Sequence, residues 1–396
     1  MKLLSKIYII TIILFSLGLY EIRGLGIIVR LLDIATVILI ITAIILIFIY
    51  GKPVSNIKSQ FKTPILLILI GVFVSSFAAE LFHNQALHLT FYQQRHMYAF
   101  FFYFLLIYIA PKPEWLINVL FYFGLFGGLF FLTQYILFPT LITDAKIFLD
   151  RGTIRMNLPG TYYMHIAFFL SVDRFFTTYE KRYGFGILLL LLVTILSGFR
   201  STVAIYILIT TGFLLVNKQV KNKIALSFLY LTIVVAGFFA FENIFQEMLE
   251  SAERESAQGT SYIRFRAAEH LISINNENKI TYIIGNGEPT ERSEYGLKLR
   301  VISMMSGFYL SDIGIFGFYI KYGLLSALVV LFIILKLSFA RINRKIYFIK
   351  LFFIFNLFMV ATTRTPFEVL PSIVLLCILM YLYDFFNQKE ILTADS

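Results

Sequence analysis

Apolar runs long enough to cross a bilayer recur along almost the whole chain, and they leave room for few folds other than a bundle of membrane helices. A helix needs about 20 apolar residues to span the hydrocarbon core. Hydropathy divides the 396 residues into about twelve such segments. They fall near residues 3–20, 31–50, 64–82, 97–110, 116–139, 158–178, 185–198, 201–216, 224–241, 320–337, 346–362 and 368–386. The runs at 97–110, 185–198 and 201–216 are short, which predicts shorter helices in a thinned or protein-lined region. Only 14% of the residues are charged and 59% are hydrophobic, with a mean hydropathy of +0.82; soluble domains carry about 25% charged residues. The first run, Ile7–Tyr20, follows Lys2 and Lys6 and has the length of a signal peptide. It lacks a small-x-small cleavage site and is followed by many more spans, so it reads as a retained helix. The expected fold class is an all-α polytopic membrane protein of about twelve transmembrane helices.

The formal net charge of +11 does not point to nucleic acid, because the basic residues are strung between apolar runs rather than gathered on one face. They orient the chain instead. With the N-terminus inside, Lys52, Lys58, Lys62, Lys112, Lys181, Arg182, Lys218, Lys221, Lys223, Lys336, Arg341, Arg344 and Lys345 face the cytoplasm, as positive-inside bias requires. An even number of spans then returns the C-terminus to the same side. Residues 1–241 are expected to hold helices 1–9, and 242–303 a large extracytoplasmic loop. Residues 304–386 would hold a re-entrant element and helices 10–12, and 387–396 a cytoplasmic tail. The single cysteine, Cys377, allows no disulfide within the chain and is expected to be a buried, lipid-facing thiol.

On this topology twelve of the sixteen arginines, but only four of the eighteen lysines, fall on the outer side. The arginines are Arg23, Arg30, Arg95, Arg151, Arg155, Arg200, Arg254, Arg264, Arg266, Arg292, Arg300 and Arg364. Positive-inside bias explains the lysines and not this surplus. Arginine presents a planar fork that takes phosphate or carboxylate with two hydrogen bonds and is less strongly hydrated than lysine. The surplus therefore points to an anionic group handled at the outer face. The structural alternative for each arginine is a loop bridge, a lipid headgroup contact or a salt bridge to a carboxylate such as Glu253 or Glu269.

The outer loop from Phe241 to about Ser303 alone has a composition near that of a soluble protein. ENIFQEMLESAERES (242–256) reads as an acidic helix. Gln258–Ser261 reads as a turn, with Thr260 or Ser261 as N-cap for a second helix from Ile263 to about Ser273. Asn275, Asn276 and Asn278 break that helix before ITYIIGNGE (280–288). SGFYLSDIGIFGFYIKYG (306–323) then places four glycines and Asp312 in an apolar run. This predicts a broken or re-entrant element lining a cavity, with Asp312 functional or a helix cap at the water boundary.

Three of these features together resemble the Wzy-type O-antigen and capsular polysaccharide polymerases, within the O-antigen ligase and polymerase superfamily. They are LSGFRSTVAIYILI (196–209), Arg264 followed by IIGNG (283–287), and YLSDIGIFGFYIKYG (309–323). Their order covers residues 150–335. The resemblance implies a glycosyltransferase C-like fold in a bacterial inner (cytoplasmic) membrane. It implies a polyprenyl-diphosphate-linked oligosaccharide as substrate, membrane lipid around the chain and a chain-length regulator protein as partner, with no cofactor and no metal. The reaction would pass a growing glycan from its polyprenyl diphosphate to a sugar hydroxyl of a new lipid-linked repeat unit. Ligases of the superfamily carry a histidine near the position of Asp312; this chain has none there, which favours a polymerase. The chain also lacks the spaced Arg-and-Gly pairs of some polymerases and the aromatic that often follows the arginine matched by Arg264.

A diphosphate leaving group asks for positive charge aimed at developing negative charge. Arg200, at the outer end of adjoining spans, and Arg264, at the start of a loop helix where free N–H groups also favour phosphate, are the expected catalytic arginines. Asp312 is the expected base. Arg155, Arg266, Glu269 and His270 are expected substrate-binding residues, with Glu269 and His270 as lesser candidates for the base. His165 reads as a packing or hydrogen-bonding residue, and Tyr162, Tyr163, Tyr295 and Tyr309 fit an ordinary aromatic belt. Phosphate-binding loops, paired cysteine motifs and HExxH are absent from the sequence. The alternatives are a ligase of the same superfamily, differing in acceptor, or a transporter or flippase for lipid-linked sugars. Transporters usually show related halves and mid-span charges, and no internal repeat is visible here.

Overall fold

The computed structural model describes residues 3–50, 57–150, 153–218, 220, 222–257, 262–275, 278–362 and 367–394. Lys2, Lys52, Arg151, Lys221, the Gln258–Ser261 turn with Thr260, Asn276 and Arg364 lie outside the described residues, as do the side chains of Arg30 and Arg254.

The chain is predominantly helical. In order come α1 (Leu3–Ser16), α2 (Gly26–Tyr50), α3 (Lys62–His83) and α4 (Leu87–Gln93); a 3-10 helix (Arg95–Phe101) then runs into α5 (Phe102–Ile109). After α6 (Pro113–Leu137), strands β1 (Ile147–Asp150) and β2 (Thr153–Met156) form an antiparallel hairpin that pairs Phe148 with Arg155. Next are α7 (Thr161–Thr178), α8 (Lys181–Leu196), α9 (Arg200–Val216) and α10 (Lys223–Ala240). The long loop holds α11 (Glu242–Ser256), α12 (Ile263–Asn275), α13 (Thr281–Ile284) and α14 (Glu294–Ser306). The chain closes with α15 (Ile315–Phe339), α16 (Tyr347–Thr362) and α17 (Leu370–Ala394).

Among the described residues, α3, α6, α10, α15 and the Leu370–Gln388 part of α17 are long and apolar enough to cross a membrane. The clearest physical sign of a bilayer is α10. Its only buried residue is Tyr230, while Ile224, Phe228 and Phe239 are 88%, 72% and 71% exposed. Such a helix, apolar all round and packed against protein along only one side, is stable only in an apolar solvent.

At the other extreme, every residue of α17 from Ile373 to Leu382 is buried, so this helix forms the axis of the bundle, packed against α1, α5, α6 and α7. Cys377 lies in that axis, fully buried, with its Sγ 3.8 Å from the carbonyl oxygens of Ala99 and Phe100. The expectation that it faces lipid is corrected: its helix is surrounded by other helices.

The loop keeps a small core of its own, in which Ala267 and Leu271 of α12 meet Tyr295 and Leu299 of α14, with Ile313 and Ile320 beneath. Helix α14 is an element that sequence reading left unassigned. Its N-cap is Ser293, whose hydroxyl accepts from the Gly296 N–H, and Gly307 ends it in a left-handed conformation. The glycine-rich stretch 306–323 is a turn, a 3-10 turn at Leu310–Asp312 and the start of α15, which is interrupted at Gly323.

Candidate functional site

The turn between α8 and α9 and the β-hairpin are built as one piece. Gly198, with φ +68°, reverses the chain between the two helices, and a Cβ there would lie 2.7 Å from Cγ2 of Thr153. The Thr153 hydroxyl donates to the Leu196 carbonyl oxygen over 2.5 Å. This anchorage lays Arg155 across the turn, its guanidinium 4.5 Å over the Phe199 ring. Arg200 is the next residue, the first of α9.

Arg155 and Arg200 border a cavity of about 740 Å³ whose wall also includes Arg264 from the first turn of α12 and Asp312 from the 3-10 turn before α15. Three guanidiniums and one carboxylate from four separate segments thus converge on one space with a net positive charge. Arg264 sits 5.7 Å from the Tyr262 ring, and the Ser311 hydroxyl donates to Asp312 over 3.0 Å. Asn157, Thr161, Ser197 and Thr202 add neutral polar groups.

A second, more open cavity of about 1000 Å³ shares Tyr262, Arg264 and Asp312 with the first and adds Arg266, His270 and Tyr309. Arg264 and Asp312 therefore stand at the junction of two chambers. Of the residues expected from sequence, Arg155, Arg200, Arg264 and Asp312 meet in the first chamber, and Arg266 and His270 line the second. Glu269 lies exposed on α12 and lines neither. His165 borders the first chamber, but its ring is buried and hydrogen-bonded through Nδ1 to the Tyr206 hydroxyl at 2.6 Å.

Several other arginines serve local structure. Arg95 pairs with Asp33 at 3.6 Å, Arg300 pairs with Glu291, and Arg23 donates to the Leu141 carbonyl oxygen at 3.4 Å.

What holds the loop over the site is the Gly285–Asn286–Gly287 turn. The Asn286 N–H donates to the Ile320 carbonyl oxygen at 2.9 Å and the Gly287 N–H to that of Lys321 at 2.8 Å. The Asn286 side chain bonds to His83 at 2.7 Å, and His83 stacks on Tyr295 with centroids 4.1 Å apart. Burial, and secondarily the Glu288 carboxylate, push the Tyr295 phenol well above its ordinary range. Backbone meets backbone closely here: a Cβ on Gly285 would lie 2.4 Å from the Lys321 carbonyl oxygen, and one on Gly323 would lie 2.2 Å from that of Ile283. Both glycines have positive φ, so the turn can be made only where side chains are missing.

Next to this turn Lys321 pairs with Glu288 at 3.1 Å and Glu368 at 2.8 Å, and the Tyr322 hydroxyl donates to Glu288 at 2.8 Å. The cluster ties the loop to α15 and to the start of α17. Sequence reading passed over these residues, although Lys321 carries the same signal that singled out Asp312, an ionisable group in a glycine-rich apolar run. Gln85 was equally silent; its amide donates to the Glu288 carbonyl oxygen at 2.8 Å and accepts from the Thr290 N–H at 3.0 Å.

The sequence matches no model of a known protein family, and no characterised protein matches it significantly.

Proposed function

We propose that this chain is a polysaccharide polymerase of the bacterial cytoplasmic membrane, with about twelve spans and both termini in the cytoplasm. The observation that carries the reading is the convergence of Arg155, Arg200, Arg264 and Asp312 on one cavity. A cavity with that charge suits a diphosphate and would stabilise it as it leaves. The acceptor hydroxyl oxygen attacks the anomeric carbon of the donor glycan. The bond from that carbon to the diphosphate oxygen breaks, and its electron pair stays on the lipid diphosphate, held by Arg155, Arg200 and Arg264. The hydroxyl proton passes to Asp312. The acceptor repeat unit lies in the second chamber beside Arg266 and His270, so Arg264 and Asp312 touch both substrates at the junction. Electrostatic stabilisation by arginine needs no metal or nucleotide, because the donor is already activated.

One observation favours the related ligase reading as an alternative. His270 and Asp312 line the same chamber, so a histidine base is within the site even though none stands beside Asp312 in sequence. Deletion of the gene in its own host, with complementation, separates the two. A polymerase mutant keeps single repeat units on the final carrier and loses long chains; a ligase mutant accumulates long chains on the polyprenyl lipid. Unchanged glycan length and carrier in the deletion strain would contradict both.

A further inference from the structure

A third cavity, of about 370 Å³, shares no lining residue with the two arginine chambers. One wall is the segment from Tyr92 to Met97, where α4 passes into the 3-10 helix; the other is formed by Glu288, Tyr322, Glu368 and Val369. Its charges are arranged in two groups. Arg95 and His96 face Asp33, at 3.6 and 3.3 Å. Glu288 and Glu368 share Lys321. Among the described residues the site carries one net negative formal charge, opposite in sign to the first chamber.

Three buried polar atoms of this lining have no hydrogen-bond partner among the described residues: Gln94 Oε1, Arg95 Nε and Glu368 Oε1. Gln94 is 1% exposed, and its amide nitrogen is already used by Val72 and Ser76. Buried polar atoms are seldom left unpaired, and three around one cavity mark the place of a polar partner. Two of them accept and one donates, so the partner must both donate and accept. A primary ammonium supplies three donors, and an oxyanion beside it suits a guanidinium. The net negative charge disfavours a simple anion. At the mouth, Tyr92 and Val369 are each 46% exposed, an apolar rim of the kind found where a lipid backbone meets the interface.

We infer that this cavity binds the phosphoethanolamine headgroup of a phospholipid. The ammonium donates to Gln94 and Glu368, and the phosphate accepts from Arg95. The bound lipid joins the 3-10 helix before α5 to the start of α17. The inference rests on the chain lying in a bilayer and not on the polymerase chemistry.

The test is native mass spectrometry of the full chain, extracted from nanodiscs with equal parts phosphatidylethanolamine, phosphatidylcholine and phosphatidylglycerol. One phosphatidylethanolamine should be retained at least about tenfold over each of the others, because choline cannot donate hydrogen bonds and glycerol carries no cation. Arg95→Gln and Glu368→Gln should each bring that retention down to the level of the other two lipids. Arg95→Gln leaves the Lys321 cluster intact, so it decides the matter if Glu368→Gln fails to fold. Equal retention of the three headgroups by the wild type, or undiminished selectivity in Arg95→Gln, overturns the inference. A chain without polymerase activity that still selects phosphatidylethanolamine would sink the proposed function and leave this site standing.

Discussion

The guanidinium of Arg155 stacks 4.5 Å above the ring of Phe199, and Phe199 is the residue that leads into Arg200 and α9. Two arginines 45 positions apart in the chain are thereby held on one wall of the first chamber. Arg155 comes from the hairpin and Arg200 from α9, whereas Arg264 belongs to the long loop and Asp312 to the 3-10 turn that follows it. The site is thus divided between a part built on the helical bundle and a part carried by the loop.

Charge removal in the first chamber should act on catalysis and not on folding. Arg200→Ala and Arg264→Ala should each lower polymer formation by a factor of about 10² to 10³, the usual loss when one preorganised donor is removed from a transition state. Lysine at either position should restore little, since a point charge does not reproduce the two-pronged contact. Initial rates with purified variants, at matched melting temperatures, check this. Wild-type rates in both alanine variants would remove the diphosphate clamp from the account.

The docking of the loop should be sensitive to one methyl group. Gly285→Ala places a Cβ against the backbone of Lys321 and Gly323 at a positive φ, and overpacking of this kind costs about 1–3 kcal/mol. Gly212 in α9 has nothing within 4 Å of its would-be Cβ, so Gly212→Ala should be neutral or stabilise by up to about 1 kcal/mol. Thermal unfolding in detergent compares the pair. Equal effects would mean that the turn does not hold the loop as described.

Lys321→Met should be among the most damaging single changes outside the arginine site. It leaves Glu288 and Glu368 facing each other without a cation, and breaking a buried pair costs about 3–5 kcal/mol. Adding Glu288→Gln and Glu368→Gln should recover part of the loss, and the melting temperatures of the single and triple variants measure that coupling.

The elements differ in how plainly their sequences declare them. The apolar runs at 64–82, 116–139 and 224–241 coincide with α3, α6 and α10 because their solvent fixes their composition. The loop helices α11 and α12 begin where their polar sequences do. The β-hairpin was not visible, since its strands are four residues each and its anchorage is a tertiary hydrogen bond from Thr153. Helix α14 was hidden because its burial comes from partners in α12 and α15 rather than from a strong periodicity. Among the site residues, the value of arginine for diphosphate chemistry picked out Arg155, Arg200, Arg264 and Arg266. Only the fold separates them from Arg95 and Arg300, which line neither arginine chamber. Glu269 looked as suitable as His270, and the face of α12 it occupies puts it outside both chambers.

Glu21, in the bend between α1 and α2, gives a pH signature. Burial first, then Asp33 and Asp144, hold its carboxyl above the ordinary carboxylate range. The folded chain therefore keeps a proton that the unfolded chain has released, and stability falls as pH rises from the ordinary range through the folded value. Glu21→Gln should melt higher than wild type at neutral pH and match it near about pH 4. A constant difference across that range would show that Glu21 is not the titrating group.

On the proposed function, a lipid-diphosphate glycan is extended in the chamber of Arg155, Arg200, Arg264 and Asp312. The most direct test of that reading is the purified chain in nanodiscs, given only the cognate polyprenyl-diphosphate repeat unit, with chelator present and no nucleotide. The predicted result is a ladder of longer lipid-linked glycans that disappears in Arg200→Ala. Folded protein that leaves the repeat unit unextended under these conditions would contradict it.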